Sequence, residues 1–154
     1  MTVLLYVEAG KPHHPSPGRA ERSRTARRTQ LEPVVVYDTV YAGVADSVSV
    51  SGFEKAQTAT RESMMISNNG SADLVAVGID ISYLDMQGRM LHKASHHVAE
   101  IIPAAETRMV NVPSFDRQNL FYYHLSPMSR RAAQATPFDV KVEVKYVCYP
   151  KLKL

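Results

Sequence analysis

The sequence predicts an all-β fold, an antiparallel β-sandwich of about seven strands that follows a disordered N-terminal tail. Three observations carry this expectation. The stretches "LVAVGIDISYL" (74–84) and "FDVKVEVKY" (138–146) alternate apolar and polar residues with the period of two that a half-buried strand requires. Short runs rich in Val, Ile, Tyr and Phe recur between turn residues from position 34 onward, as a sandwich demands. No convincing amphipathic helix interrupts them.

In chain order, residues 1–33 come first. "GKPHHPSPGRAERSRTARRTQLEP" (10–33) is dense in Pro, Gly, Ser and Arg and has no apolar period, so it buries too little surface to offset its ordering entropy. Six Lys or Arg against three Glu in residues 1–33 account for the whole formal charge of +3, which leaves the remainder of the chain about neutral. The folded domain is expected over 34–148, with 149–154 as a short C-terminal tail. "PVVVYDTVY" (33–41) reads as an extra strand or an extended lead-in. "DSVSVSG" (46–52), "ESMMIS" (62–67), "RMLHKASHHV" (89–98), "TRMVNV" (107–112) and "NLFYYHL" (119–125) read as the weaker strands. The short connections imply antiparallel pairing.

Two stretches then set how the chain turns. Asp85-Met86-Gln87-Gly88 has Asp at the first position of a type I turn and Gly at the fourth, where a positive φ forms a bulge and closes a tight hairpin. "SNNGSADL" (67–74) is too long for a two-residue hairpin and suits a loop arching between two sheets. In the two strongest strands, Val75, Val77, Ile79, Ile81 and Tyr83 share one face, and so do Phe138, Val140, Val142, Val144 and Tyr146.

Several function classes find no support in the residues. The single Cys148 cannot form an intramolecular disulfide, and no run approaches the roughly 20 apolar residues of a membrane span. Met1–Val7 is apolar but lacks preceding basic residues, so no signal peptide is readable. His92 and His96 share a strand face yet stand roughly 13 Å apart along it at ~3.3 Å per residue, too far for one zinc ion, and are expected to face solvent. The scattered glycines form no phosphate loop, and no Ser or Cys sits in a nucleophile signature. The expectation is a non-enzymatic protein without catalytic residues, cofactor or metal.

Two stretches are suited to binding. "RAERSRTARR" could meet nucleic acid or an anionic membrane surface through phosphate charge. "FDRQNLFYYHLSPMSRR" (115–131) brings aromatics close to arginines, the residue types enriched at recognition hot spots. Phe115, Arg117, Tyr122, Tyr123, Arg130 and Arg131 are therefore the candidate interaction surface, with a protein as the expected partner. In that stretch, alternation must bury either Phe121 and Tyr123 or Leu120 and Tyr122.

With "ISNNGSA", "YLDMQGR", "ETRMVNV" and "VKVEVKY" in place, the region 46–147 resembles the FxLYD-type domains and related small immunoglobulin-like β-sandwiches of bacterial envelope proteins. It is also similar to single-domain Bacteroidales proteins that carry "VSGFEKAQTATRESMMISNN". The resemblance implies an immunoglobulin-like sandwich, an accessory or interaction role, a cell-envelope or periplasmic setting and no active site to carry over. The chain departs from the pattern where Ala104-Ala105 follow Pro103 in place of a Pro-Gly turn. A carbohydrate-binding sandwich is the alternative reading; it requires exposed aromatics and polar groups converging on one face.

Overall fold

The computed structural model describes residues 37–41, 43, 46–127 and 134–151. The expected tail (1–33), together with Arg130 and Arg131, lies outside the described residues. The alternating runs form eight strands: β1 (Tyr37–Val40), β2 (Val48–Glu54), β3 (Arg61–Asn68), β4 (Ala76–Leu84), β5 (Met90–Val98), β6 (Thr107–Pro113), β7 (Phe121–Tyr123) and β8 (Thr136–Pro150). No α-helix occurs among the described residues. The last strand continues two residues past the expected boundary at 148, because Tyr37 and Asp38 pair with Pro150 and Tyr149.

The strands make two sheets, one in the order β1-β8-β4-β5 with β7 alongside β8, the other in the order β2-β3-β6. The fold is thus the all-β sandwich that the alternation implies. Its core lies where the inward faces meet. Val77, Ile79, Ile81, Tyr83, Phe138 and Val147 of the first sheet pack with Val48, Phe53, Met64, Ile66, Val110 and Val112 of the second. Phe138 is the hub of the aromatic packing, with ring contacts to Phe53, Tyr83, Phe115 and Tyr123 at 5.3–6.3 Å between centroids.

One pairing departs from expectation: β7 runs parallel to β8. The residues between them, 124–135, are long enough for the crossover that parallel neighbours need, so the chain leaves β7 and returns in the same direction. The ladder is held by Thr136 N–H donating to Leu120 O at 2.8 Å and His124 N–H to Phe138 O at 3.0 Å.

A second departure concerns Tyr146. The register passes from Gly78↔Tyr146 to Ile79↔Val144, which leaves Lys145 as the extra residue of a bulge. Strict alternation would send Tyr146 inward with Val144. The bulge sends Tyr146 to the outer face and turns Val147 into the core, where it is fully buried. Gly78 makes this possible, since a Cβ there would stand 2.0 Å from the Tyr146 ring.

The connections follow local chemistry. Asp85–Gly88 is the expected turn, with Gly88 N–H bonded to Asp85 O at 2.9 Å, Asp85 N–H to Arg89 O at 2.8 Å, and Gly88 at φ +82°. The Asp85 carboxylate also accepts the Arg89 and Gln87 N–H groups. The loop after β3 does arch from one sheet to the other. Asn68 anchors it by donating to Ala72 O and Ile102 O at 2.8 and 2.9 Å and accepting Gly70 N–H at 3.0 Å. At Pro103–Glu106 the chain closes a turn through Glu106 N–H to Pro103 O, and Ala105 takes the left-handed φ of 62° where a glycine is favoured.

Gly88→Val places a β-branched residue at positive φ, and we expect it to destabilise the domain by more than the ~1 kcal/mol of an ordinary surface change. Thermal melts of the two proteins check this; superimposable curves would mean that this backbone carries no strain.

Candidate functional site

Four charged or polar side chains are enclosed at one end of the sandwich. Inward parity along β3 places Glu62, Met64, Ile66 and Asn68 on the core face, so the strand buries a carboxyl at one end and an amide at the other. Just past β2, Lys55 is 1% exposed. Its ammonium donates to Asp116 Oδ2 at 3.0 Å, to Phe121 O at 2.8 Å, and to Gln57 O and Ala56 O at 3.1 and 3.2 Å.

Asp116 meets that charge and also organises its own loop. Its Oδ1 accepts the N–H groups of Gln118 and Leu120, and its Oδ2 accepts that of Phe121 at 2.8 Å. Burial would raise this carboxyl, but the Phe121 N–H, the Lys55 ammonium and the Leu120 N–H outweigh it and hold the group below its ordinary value. A buried pair broken at one partner costs about 3–5 kcal/mol, because the other charge is stranded.

Beside the pair, the Tyr83 hydroxyl donates to Glu62 Oε2 at 2.5 Å and Phe115 N–H to Glu62 Oε1 at 3.3 Å. Burial lifts the Glu62 carboxyl above its usual range, although these donors and Lys55 pull it the other way. Burial and the adjacent carboxyl likewise raise the Tyr83 phenol. Each group is engaged by neighbours within the protein, so the arrangement braces the 114–121 segment.

The accessible chemistry lies on the open side of the sandwich. Among the described residues the first sheet ends at β5 and the second at β6, so both are edge strands with one side unpaired there. A groove runs between them in two compartments that meet at His96 and Pro113. One, of about 430 Å³, is lined by Arg61, Val98, Glu100 and Met109 among others; the other, of about 300 Å³, is lined by His92, Ala94, Phe115 and Arg117. His96 Nε2 is enclosed there without a hydrogen-bond partner among the described residues, and burial pushes its imidazole pKa down. Among the described residues nothing pairs with Arg117. His92 and His96 thus sit on the inward parity of β5, facing this groove. His92 is exposed, as expected, whereas His96 is half-buried with its Nε2 enclosed, which corrects the expectation for that residue: on an edge strand the inward face borders an opening between the sheets.

A second feature occupies the outer face of the first sheet. Ala76, Gly78 and Cys148 are small and buried there. Above them His97 Nδ1 and the Tyr146 hydroxyl are 2.8 Å apart, with ring centroids at 5.9 Å and planes 28° apart. An imidazole lone pair lies in its ring plane, so this bond sets the two rings side by side as a tile. Tyr37 extends the tile at 6.1 Å from His97, and Tyr41 tilts against Tyr146 at 5.4 Å.

The sequence-derived candidates separate. Phe115 packs on Tyr83 at 4.1 Å and lines the groove, and Arg117 stands at its mouth. Phe121 and Tyr123 pack against the core, while Leu120 is exposed and Tyr122 half-buried, so the first of the two alternations holds. Arg130 and Arg131 fall outside the described residues. Sequence reading missed Lys55, Glu62 and Asp116. A signal existed for Glu62, which shares parity with Met64 and Ile66.

The two carboxyls act on stability with opposite signs. Asp116, depressed when folded, stabilises above its unfolded value of about 3.8, and this is lost as pH falls through its lower folded value. Glu62, raised when folded, favours the fold below about 4.5, and that benefit is lost as pH rises through its folded value. Urea unfolding across pH should therefore show stability declining above about 4.5 in the parent and a flatter profile in Glu62→Gln. Parallel profiles would remove Glu62 from this role.

No protein-family model matches the chain, and no curated protein or solved structure matches it either.

Proposed function

We propose that this chain is a non-enzymatic recognition module that binds an extended segment of another protein along the open side between β5 and β6. The observation that carries the reading is the groove itself. Two edge strands border it, and among the described residues neither the enclosed imidazole nitrogen of His96 nor Arg117 at its mouth has a partner. An edge strand supplies backbone donors and acceptors to an incoming strand, and the pockets beside it read side chains. The internal engagement of Lys55, Asp116 and Glu62 supports a binding role over a catalytic one. The resemblance to FxLYD-type envelope domains supports an accessory role, and a bacterial envelope setting rests on that resemblance alone.

Linear peptides selected from a display library and titrated into isotope-labelled protein should shift the amides of β5, β6 and residues 114–120. Shifts confined to other surfaces would place recognition elsewhere.

The aromatic tile favours a second reading, saccharide binding on the outer face of the first sheet. Flat rings present an apolar surface to the C–H face of a sugar, and Asp80, Ser95, Lys93 and Lys145 lie beside the tile as polar partners on the same sheet face. Neutral oligosaccharides should then shift the amides around Gly78, His97 and Tyr146, and His97→Ala should weaken the effect. Unmoved amides across a broad sugar panel would end this reading.

A further inference from the structure

The charge and shape of the groove allow its occupant to be named by chemistry. Arg61 and Arg117 flank it, His92 and His96 line it, and among the described residues Glu100 is the only carboxylate on the walls of its two compartments. We propose that the groove takes an acidic peptide segment in extended conformation, lying along the unpaired edge of β5 or β6 with carboxylates directed at Arg117, His96 and Arg61. This rests on the reading of the groove as a recognition site and adds the identity of what it recognises.

Three features favour that occupant. The first is charge: two arginines stand against one glutamate, and the imidazoles of His92 and His96 add N–H donors without negative charge. Asp116, next to Arg117 in sequence, adds no free negative charge, because its oxygens are taken by Lys55 and three backbone N–H groups. The second is the enclosed His96 Nε2, which lacks a partner among the described residues and, as the N–H tautomer, can donate to a carboxylate placed beside it. The third is the pair of strand edges. They offer a row of backbone hydrogen bonds that a peptide can complete and a phosphodiester chain cannot, which favours an acidic protein segment over nucleic acid.

The usual protections of an edge strand leave the groove side open. Lys93, the charge on β5, projects from the outer face toward Asp80 at 3.6 Å. Pro113 removes a single N–H at the very end of β6. Alternation matters for the occupant too, because every second residue of an extended segment faces the same wall, so acidic residues spaced two apart fit best.

The test uses three fluorescein-labelled peptides of about eight residues, alternating Thr with Glu, Gln or Lys, and the full chain. Fluorescence anisotropy at low and high salt gives affinities, and amide shifts report where each peptide sits. The Glu peptide should bind roughly tenfold or more tightly than the Gln and Lys peptides, and added salt should narrow the gap. Arg61→Ala with Arg117→Ala should abolish the preference without changing the melting temperature. If the Glu and Gln peptides bind alike on β5 and β6, the acidic assignment fails and recognition by the groove stands. If no peptide of any charge shifts those strands, both fail. An oligonucleotide that competes as well as the Glu peptide at equal charge overturns the choice of a protein partner.

Discussion

The contact between Lys55 and Asp116 is the constraint on which the working end of the sandwich depends. Lys55 follows β2, and Asp116 lies in the connection after β6, so one ion pair ties the two ends of the second sheet's path together. The same carboxylate gathers three backbone N–H groups and curls residues 116–121. That curl delivers Phe121 and Tyr123 to the core and leaves Arg117 beside the groove. Charge burial is costly by itself. Here four acceptors around one ammonium and four donors around one carboxylate offset that cost, and specificity of the loop conformation is the return.

Outward from this anchor the structure becomes progressively more open. Phe115 tilts against Tyr83 and meets Phe138 edge-on in the core, and it stacks with His92 on the edge strand. The aromatic core therefore continues into the wall of the groove. A groove whose wall is the outermost layer of a packed core keeps its shape without a ligand, so little ordering entropy has to be supplied on binding.

The sequence was most legible where one physical rule acts alone. In β4 the period of two placed Ile79, Ile81 and Tyr83 inward without error, and Asp85 through Gly88 announced their own turn. Legibility failed where a distant partner overrides the local rule. Tyr146 keeps perfect alternation in the sequence, yet Gly78, 68 positions earlier, lets it lie on the other face. The parallel pairing of β7 with β8 is a tertiary choice that composition does not encode. Lys55 and Asp116 are residue types that ordinarily stay in water, and their pairing across 61 positions exists only in three dimensions. Of the candidate interaction residues, Phe115 and Arg117 carry over to the groove, whereas Tyr123 is drawn into the core by Phe53 and Phe138.

Cys148 lies on the outer parity of β8, yet it is 0% exposed, with Thr39 Oγ1 of β1 at 3.6 Å from its sulfur. The lone thiol is sealed by a four-residue edge strand and a few aromatic rings, and such short peripheral elements open far more often than a whole domain unfolds. Its reaction with an alkylating reagent is thus governed by the lifting of β1, and the sulfur serves as a native timer for detachment of that edge.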